Sequence, residues 1–300
     1  MDTNILLESG TNELEILEFT VGENRYGINV AKIKEILQYM PAVPIPNSDP
    51  AIEGIFMPRD EVITSINLAK VLNLPESDNP KTDLYVVTYF NGINAAFHVH
   101  SVVGINRVSW QQVMKPDSTL NGQGKGVSTG IIKLDGRLIV LLDFEKIVAE
   151  ISPETSLKVS DIDKLGFRSK SNKPILIAED SNLLMQLVND CLKKAGYSNL
   201  VCCSDGQEAW EKLEAMAAKG PVTEQLKLVI TDIEMPRMDG HHLTKLIKST
   251  DATKELPVII FSSMISPDMI TKGKTLGADS QITKPEINKL VGEIDKLILN

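Results

Sequence analysis

The sequence is short of cysteines, histidines and basic residues, and each shortage argues against a class of protein. Its three cysteines, Cys191, Cys202 and Cys203, are an odd number without the spacing of a metal site, and we interpret them as core residues. The four histidines form no ligand pattern. Lys and Arg total 31 against 40 Asp and Glu, and neither half of the chain is basic, so nucleic acid binding is not expected.

The sequence also has no apolar run that approaches the length of a membrane-spanning helix. Its first residues, Met1-Asp2-Thr3-Asn4, lack the basic start of a signal peptide. Together with the cysteine usage, these features predict a cytoplasmic protein. The length of 300 residues suggests two domains.

Four apolar runs in the second half of the chain each end on a polar side chain. The runs and their ends are 175–178 before Glu179 and Asp180, 229–231 before Asp232, 257–261 before Ser262, and 279–283 before Lys284. Helical patterns lie between or after them, at about 181–195, 206–219, 239–250, 266–277 and 286–299. Strands that alternate with helices predict a parallel sheet covered on both faces. The polar ends should therefore meet at one edge of the sheet, where ligands bind.

These end residues are the types that phosphoryl transfer to a carboxylate needs. Three acids at one edge can hold a hard cation such as Mg²⁺ through oxygen ligands. Lys284 can neutralise phosphate oxygens as a point charge, and the Ser262 hydroxyl can donate a hydrogen bond to one. Asp232 is then the nucleophile that becomes an acyl phosphate. A single aspartate at a strand end is more often a turn former or helix cap, but five matching positions on four strands favour the site.

Residues 174–300 resemble the receiver domain of bacterial response regulators at every functional position of that family. The resemblance implies that Asp232 accepts the phosphoryl group and that Ser262 and Lys284 contact it. It implies a cis peptide bond between Lys284 and Pro285. The implied Mg²⁺ ligands are Glu179, Asp180, Asp232 and the backbone carbonyl of Glu234.

Two positions bear on how far this resemblance extends. Gln281 lies three residues before Lys284, where many receivers have an aromatic residue that takes part in switching. The alternative enzyme class is a phosphatase of the haloacid dehalogenase type, which typically has a second aspartate two residues after its nucleophile. Glu234 occupies that position here, so a free-standing enzyme is not expected.

Residues 1–150 contain a repeat with two parts. Hairpin patterns recur at 19–30 and 86–99, each with a polar turn between β-rich runs. A second pattern recurs at 54–72 and 130–148; it opens on Gly-Ile and closes on a segment of the form Ile/Leu-Asn/Asp-Leu/Phe-x-Lys. The repeat predicts two similar β subdomains, which we interpret as small barrels that share one hydrophobic interface. The alternative is that β-hairpins look alike by chance.

Residues 14–150 resemble the CheW-type coupling domain of bacterial chemotaxis, which has two small five-stranded barrels. The resemblance implies binding to chemoreceptor tips and to the histidine kinase CheA. Arg59 matches an arginine in the usual Leu-Arg-Gly turn of that family, which here reads Pro58-Arg59-Asp60. We assign Arg59 a weak role in partner binding, and a solvated turn residue is the alternative. The predicted fold is an all-β double SH3-like barrel followed by an α/β doubly wound (βα)5 receiver.

A polar segment joins the two halves, so the predicted boundaries are 1–151, an exposed linker over 152–173, and 174–300. A short helical turn is expected at 162–167. A CheW-like domain followed by a receiver is the architecture of the CheV family of chemotaxis coupling proteins. The resemblance implies a cytoplasmic protein that links chemoreceptors (methyl-accepting chemotaxis proteins) to CheA and is recruited to membrane arrays only through those receptors. Phosphorylation of Asp232 would regulate the coupling in adaptation; the alternative is a constitutive coupler whose receiver acts as a phosphate sink.

Overall fold

The computed structural model describes residues 13–90, 93–114, 126–152, 157–166, 170–263 and 267–299. The chain forms two compact units, whose main parts are residues 14–108 with 114–155, and residues 156–300. The first unit is built from β-sheets and the second is an α/β unit, as the sequence predicts. Within the described ranges, the helices are all too short or too polar to span a bilayer.

Ten strands form the described part of the first unit. They are β1 (Glu13–Val21), β2 (Asn24–Asn29), β3 (Ile33–Gln38), β4 (Ile52–Phe56), β5 (Ile63–Asn67), β6 (Leu84–Phe90), β7 (Ile93–Val99), β8 (Ser101–Ser109), β9 (Ser128–Leu134) and β10 (Arg137–Leu142). Helix α1 (Leu68–Val71) follows β5, and helix α2 (Phe144–Ile151) follows β10. Asn67 and Asp143 cap the two helices through their side chains, which is why the Asn/Asp position recurs in both copies of the second pattern.

Each of the two sheets of this unit contains strands from both copies of the sequence repeat. Their orders are β8-β1-β2-β10-β9 and β3-β6-β7-β5-β4, so a shift of five strands converts one order into the other. The parallel pairs β2 with β10 and β7 with β5 each join a strand of one repeat to a strand of the other. Two similar five-stranded subdomains are confirmed, but the two copies of the repeat do not each form one of them.

One apolar core lies between the two sheets and includes α2. The Phe144 ring stacks on Phe97 of β7 at a centroid distance of 4.1 Å and lies 6.1 Å from the ring of Phe19 on β1. All three side chains are fully buried. Burial of each ring contributes about 1.5–3 kcal/mol, so this cluster accounts for the shared hydrophobic interface that the repeat predicts.

The second unit is a parallel sheet of order β12-β11-β13-β14-β15 with helices on both faces. Its strands are β11 (Ile175–Ala178), β12 (Leu200–Cys203), β13 (Leu228–Thr231), β14 (Val258–Ser262) and β15 (Ser280–Thr283). Its helices are α3 (Asn182–Lys194), α4 (Gly206–Ala217), α5 (Val222–Gln225), α6 (Gly240–Ser249), α7 (Pro267–Thr275) and α8 (Ile287–Ile298). Alternate residues of each central strand face opposite layers: Ile177 and Ile230 pack in one core cluster, and Leu176 and Val229 in the other. This double burial explains the unbroken apolar runs.

Part of the segment predicted as an exposed linker packs on the second unit instead. Leu157 and Ile162 are buried in the core cluster that contains α3 and α8. A 3-10 helix at Val159–Leu165 carries Ile162, which confirms the expected helical turn as far as residue 165; residue 167 lies outside the described residues. Asp163 on this helix pairs with Lys194 of α3 at 2.7 Å. The expectation of full exposure is wrong here because Leu157 and Ile162 are buried in this cluster, and Val159 and Leu165 pack against it.

We expect Ile162→Ala to lower the free energy of unfolding of the second unit by about 2–5 kcal/mol, because it leaves a cavity between the 3-10 helix and the core. Urea denaturation followed by helical circular dichroism measures the change, since α3–α8 lie in this unit. The exposed neighbour Lys158 supplies the control, and Lys158→Ala should change stability by less than about 0.5 kcal/mol. Equal effects of the two substitutions would contradict the docking of this helix.

Candidate functional site

Three carboxylates meet at one edge of the parallel sheet. Glu179 and Asp180 follow β11, and Asp232 follows the neighbouring strand β13. One carboxylate oxygen from each lies within 4.8 Å of the other two. Glu179 and Asp232 are buried, and Asp180 is half-buried. The backbone NH of Asp232 donates to the Ala178 carbonyl at 2.9 Å, which continues the strand pairing into the site and fixes the two ends against each other.

Lys284 brings a buried positive charge into this acidic cluster. It follows β15, and its Nζ lies 2.7 Å from Glu179 Oε2 and 3.0 Å from Asp232 Oδ2. Its backbone NH donates to the carbonyl of Ser262 at 3.0 Å, so β14 fixes the point from which the side chain extends. The peptide bond between Lys284 and Pro285 is cis, as the resemblance implies.

The charges of the site fit a divalent cation. One ammonium group contacts two of the three carboxylates, so negative charge remains in excess when all are ionised. Burial raises the pKa of Glu179 above its ordinary value; the Lys284 charge opposes this rise and the Asp232 charge adds to it. Several oxygen ligands with excess negative charge are what Mg²⁺ binds in proteins. The residues at this edge therefore fit the expected cofactor.

A hydrogen bond and a close backbone contact restrict the loop after β13. The backbone NH of Ile233 donates to Asp232 Oδ1 at 2.7 Å, which orients the carboxylate. A Cβ atom at Gly240 would collide with the Asp232 carbonyl oxygen, so only glycine allows α6 to begin this close to the site. Glu234 lies in this loop and is half-buried. The role of its backbone carbonyl as a Mg²⁺ ligand stays a prediction.

Ser262 and Gln281 occupy neighbouring strands next to the cluster. Ser262 is the last residue of β14 and is buried, and its contact with a phosphoryl group stays a prediction. Gln281 on β15 donates from Nε2 to the Ile270 carbonyl of α7 at 2.7 Å. A Cβ atom at Gly273 would collide with the Gln281 amide, so α7 approaches this side chain closely. The residue at the usual aromatic position is thus bound to α7 through its amide.

Arg59 lies in the other unit, in the turn between β4 and β5. Its side chain is 76% exposed, and its Nη2 pairs with Glu35 Oε2 at 3.1 Å. Exposed pairs of this kind contribute about 0–1 kcal/mol, so the pair gives little reason for an arginine at this place. The weak assignment of Arg59 to partner binding stays a prediction.

The first unit contains a partly buried ionic network that the positions of the histidines in the sequence do not predict. His98 Nδ1 lies 2.8 Å from Glu53 Oε1, and its Nε2 lies 3.0 Å from Asp83 Oδ2. The Ser65 hydroxyl donates to Glu53 Oε2 at 2.5 Å. Burial alone lowers the pKa of His98, but the hydrogen bonds and charges of Glu53 and Asp83 outweigh burial and raise the pKa above its ordinary value. The His98 ring therefore bridges two carboxylates inside this unit, and their charges favour its protonated form.

The other sheet of this unit has uncharged side chains at the positions equivalent to those of the ionic network. The register pairs Tyr85 with His98 on β6 and β7, and Ile16 with Asn29 on β1 and β2. By this register and the sequence repeat, the counterparts of His98, Glu53 and Asp83 are Asn29, Thr129 and Leu14. The fold therefore does not require the ionic network, and no pattern along the chain marks its members as partners.

Comparison with known proteins identifies both units. Residues 15–152 match the family described as CheW-like domain, and residues 175–295 match the response regulator receiver domain. Chemotaxis protein CheV3 of Helicobacter pylori is 29% identical over 301 residues, which cover 96% of this chain and 95% of CheV3. Chemotaxis protein CheV2 of the same organism is 30% identical over 299 residues, with 92% of each chain covered. Chemotaxis protein CheW of Thermotoga maritima is 31% identical over 146 residues, 49% of this chain and 95% of its own.

The two CheV relatives match nearly the full length of this chain, so they share both domains in the same order. The CheW relative matches only about half of it. A coupling domain and a receiver domain in one chain are the parts of a chemotaxis signal-transduction protein. The chain belongs to the CheV family of chemotaxis proteins.

Proposed function

We propose that this protein couples chemoreceptors to the histidine kinase CheA and that phosphorylation of Asp232 adjusts the coupling during adaptation. Residues 1–151 would form the coupling domain and residues 174–300 the receiver, with residues 152–173 between them. The family relationship supports the coupling role. The observation that carries the regulatory role is the contact of Lys284 Nζ with both Glu179 and Asp232 beside a third carboxylate.

The residues of this edge divide the chemistry among them. Mg²⁺ would be held by the carboxylates of the acidic cluster and the carbonyl of Glu234, and it would neutralise charge on the phosphoryl oxygens. An oxygen of Asp232 attacks the phosphorus as the bond to the donor breaks, which leaves an acyl phosphate on the protein. Lys284 then exchanges its contact with Asp232 for a phosphoryl oxygen, and the Ser262 hydroxyl donates to another. The added charge biases the receiver between two conformations.

The test is co-sedimentation of the full chain with receptor-containing membranes and CheA in the presence of Mg²⁺. Beryllofluoride, which mimics a phosphoryl group, should change the amount that sediments with the intact protein. Asp232→Asn should sediment but lose this response, because the carboxylate that holds the analogue is gone. The exposed Asp251 supplies a matched control, and Asp251→Asn should respond like the unaltered protein.

Three other outcomes separate the alternatives. Co-sedimentation that is indifferent to beryllofluoride would favour a constitutive coupler whose receiver acts as a phosphate sink. Absence of co-sedimentation would contradict the coupling role itself. Release of phosphate from small phosphomonoesters with turnover would favour the phosphatase, for which the position of Glu234 gives no support.

A further inference from the structure

The loop between Asp232 and α6, residues 233–239, contains a residue in an unfavourable backbone conformation. Arg237 has φ of 67°, in the left-handed region that residues with a Cβ atom seldom adopt. Its guanidinium donates to Asp205 Oδ2 twice, from Nε at 2.9 Å and from Nη2 at 2.5 Å. The side-chain contact and the unfavourable backbone conformation occur at the same residue.

Asp205 is a rigid anchor for the loop. It is fully buried, and its other carboxylate oxygen, Oδ1, accepts from the Glu208 backbone NH at 2.9 Å as the N-terminal cap of α4. The next residue, Gly206, has no room for a Cβ atom, which would collide with the Met238 carbonyl oxygen. Helix α4 therefore contacts the loop both through the backbone at Met238 and through the side chain of Arg237.

The loop is thus fixed at both ends. At its start, Asp232 Oδ1 accepts from the Ile233 NH, and near its end Arg237 binds Asp205. Glu234, whose carbonyl would complete the Mg²⁺ site, lies between these two fixed points. A ligand on a loop that is already ordered loses less conformational freedom when it binds a metal, so its affinity is higher.

We propose that Arg237 is a positioning residue whose ion pair with Asp205 orders the loop at residues 233–239 for Mg²⁺ binding and phosphoryl acceptance. This inference rests on the function proposed above. Arg237 acts through the backbone at Glu234 and through α4, and it needs no contact with the metal or with the phosphoryl group. The competing interpretation is that the ion pair only stabilises the fold.

Two substitutions separate these interpretations. Arg237→Gly removes the ion pair but relieves the backbone, because glycine adopts positive φ without strain. Asp205→Asn keeps the cap of α4, since asparagine caps as well as aspartate, but removes the charge that holds Arg237. Both variants should stay folded, which thermal unfolding checks. Lys254→Ala is the matched control, because it removes an ion pair of 2.9 Å with Asp251 elsewhere on the same unit.

The experiment titrates Mg²⁺ into the full chain with excess beryllofluoride and follows the bound analogue by fluorine NMR, well below the unfolding temperature of every variant. Arg237→Gly and Asp205→Asn should each raise the Mg²⁺ concentration for half-saturation by about tenfold, the lower end of what loss of a supporting contact costs at a metal site. Arg237→Lys, which keeps the charge but lacks the planar fork of donors, should recover part of this loss. Lys254→Ala should leave the half-saturation point unchanged.

Three results would overturn the inference. Half-saturation points that match the unaltered protein would show that the ion pair is structural only. A shift in Arg237→Gly without one in Asp205→Asn would show that the pair is not the cause. Failure of the unaltered protein to bind beryllofluoride would contradict the proposed function, and this inference with it. If the unaltered protein binds and the variants have the same Mg²⁺ half-saturation point, only this inference is contradicted.

Discussion

His98→Ala is expected to lower the free energy of unfolding of the first unit by about 3–5 kcal/mol at about pH 6, because it removes the ring that pairs with the buried Asp83 carboxylate and the partly buried Glu53 carboxylate. The carboxylates belong to Glu53 and Asp83, at 2.8 and 3.0 Å from the two ring nitrogens. Native-state hydrogen exchange at the amides of β6 and β7 measures the loss in this unit separately from the receiver. A change of less than about 1 kcal/mol would contradict a charged network.

The pH dependence of this effect has a defined sign. The pKa of His98 is raised in the folded protein from its ordinary value of 6.5, so its contribution is complete below that value and is lost as the pH rises through the folded pKa. Burial raises the pKa of Glu53, but the hydrogen bonds of His98 and Ser65 outweigh burial and lower it, so its contribution is lost as the pH falls through the folded pKa. The stability difference between the unaltered protein and His98→Ala should therefore shrink at alkaline pH.

The repeat within the chain supplies a matched control for this substitution. The other sheet has Asn29, Thr129 and Leu14 at the corresponding positions. A triple variant with the substitutions His98→Asn, Glu53→Thr and Asp83→Leu should recover most of the loss, because removal of a complete buried ionic group is often neutral. Equal instability of the single and triple variants would show that packing, and not unpaired charge, determines the effect.

Lys284→Met is expected to change the affinities of the receiver for Mg²⁺ and for beryllofluoride in opposite directions. Its ammonium group contacts two carboxylates that would also bind Mg²⁺, so its removal should tighten Mg²⁺ binding by about tenfold or more. Binding of beryllofluoride should weaken by about a hundredfold, because the substitution removes the positive charge that neutralises the negative charge on the fluorine atoms. Titration calorimetry with Mg²⁺ and fluorine NMR with beryllofluoride measure the two effects.

Lys248 provides the comparison for this substitution. It is a partly buried lysine of the same unit and pairs with Asp279 at 2.8 Å. Lys248→Met should leave both affinities unchanged, since Asp279 is not among the clustered carboxylates. Weaker Mg²⁺ binding by Lys284→Met would contradict competition between the ammonium group and the metal.

The edge of the receiver sheet could be predicted because its chemistry is encoded locally. Glu179 and Asp232 follow apolar runs and Lys284 follows the predicted strand at 279–283, and parallel strands bring such ends to one edge. Glu179, Asp232 and Lys284 therefore meet as expected, although more than fifty residues of sequence separate each from the next. The contact between the ends also depends on the order of the strands, because β11 and β13 are neighbours in the sheet.

Other features depend on tertiary contacts that no local pattern encodes. Glu53, Asp83 and His98 lie on or beside three different strands, and each reads as an ordinary polar residue of a β-rich run. The apolar residues between 157 and 165 are separated by polar ones, so the sequence predicts a helical turn but not the core on which Leu157 and Ile162 are buried. The ion pair of Arg237 with Asp205 likewise joins two loops that only the parallel sheet brings together.

The exchange of strands between the two repeats has a consequence for how the first unit can be assembled. The earliest hairpin, β1 with β2, obtains its parallel partner β10 only when the last strand of the unit has been made. A fragment that ends after β5 would hold two incomplete sheets with open edges, and such edges pair with other chains. Contacts between distant strands also slow folding, because loops must close before the contacts form. The duplicated sequence therefore yields halves that should fold only together, whether in one chain or as two complementary fragments.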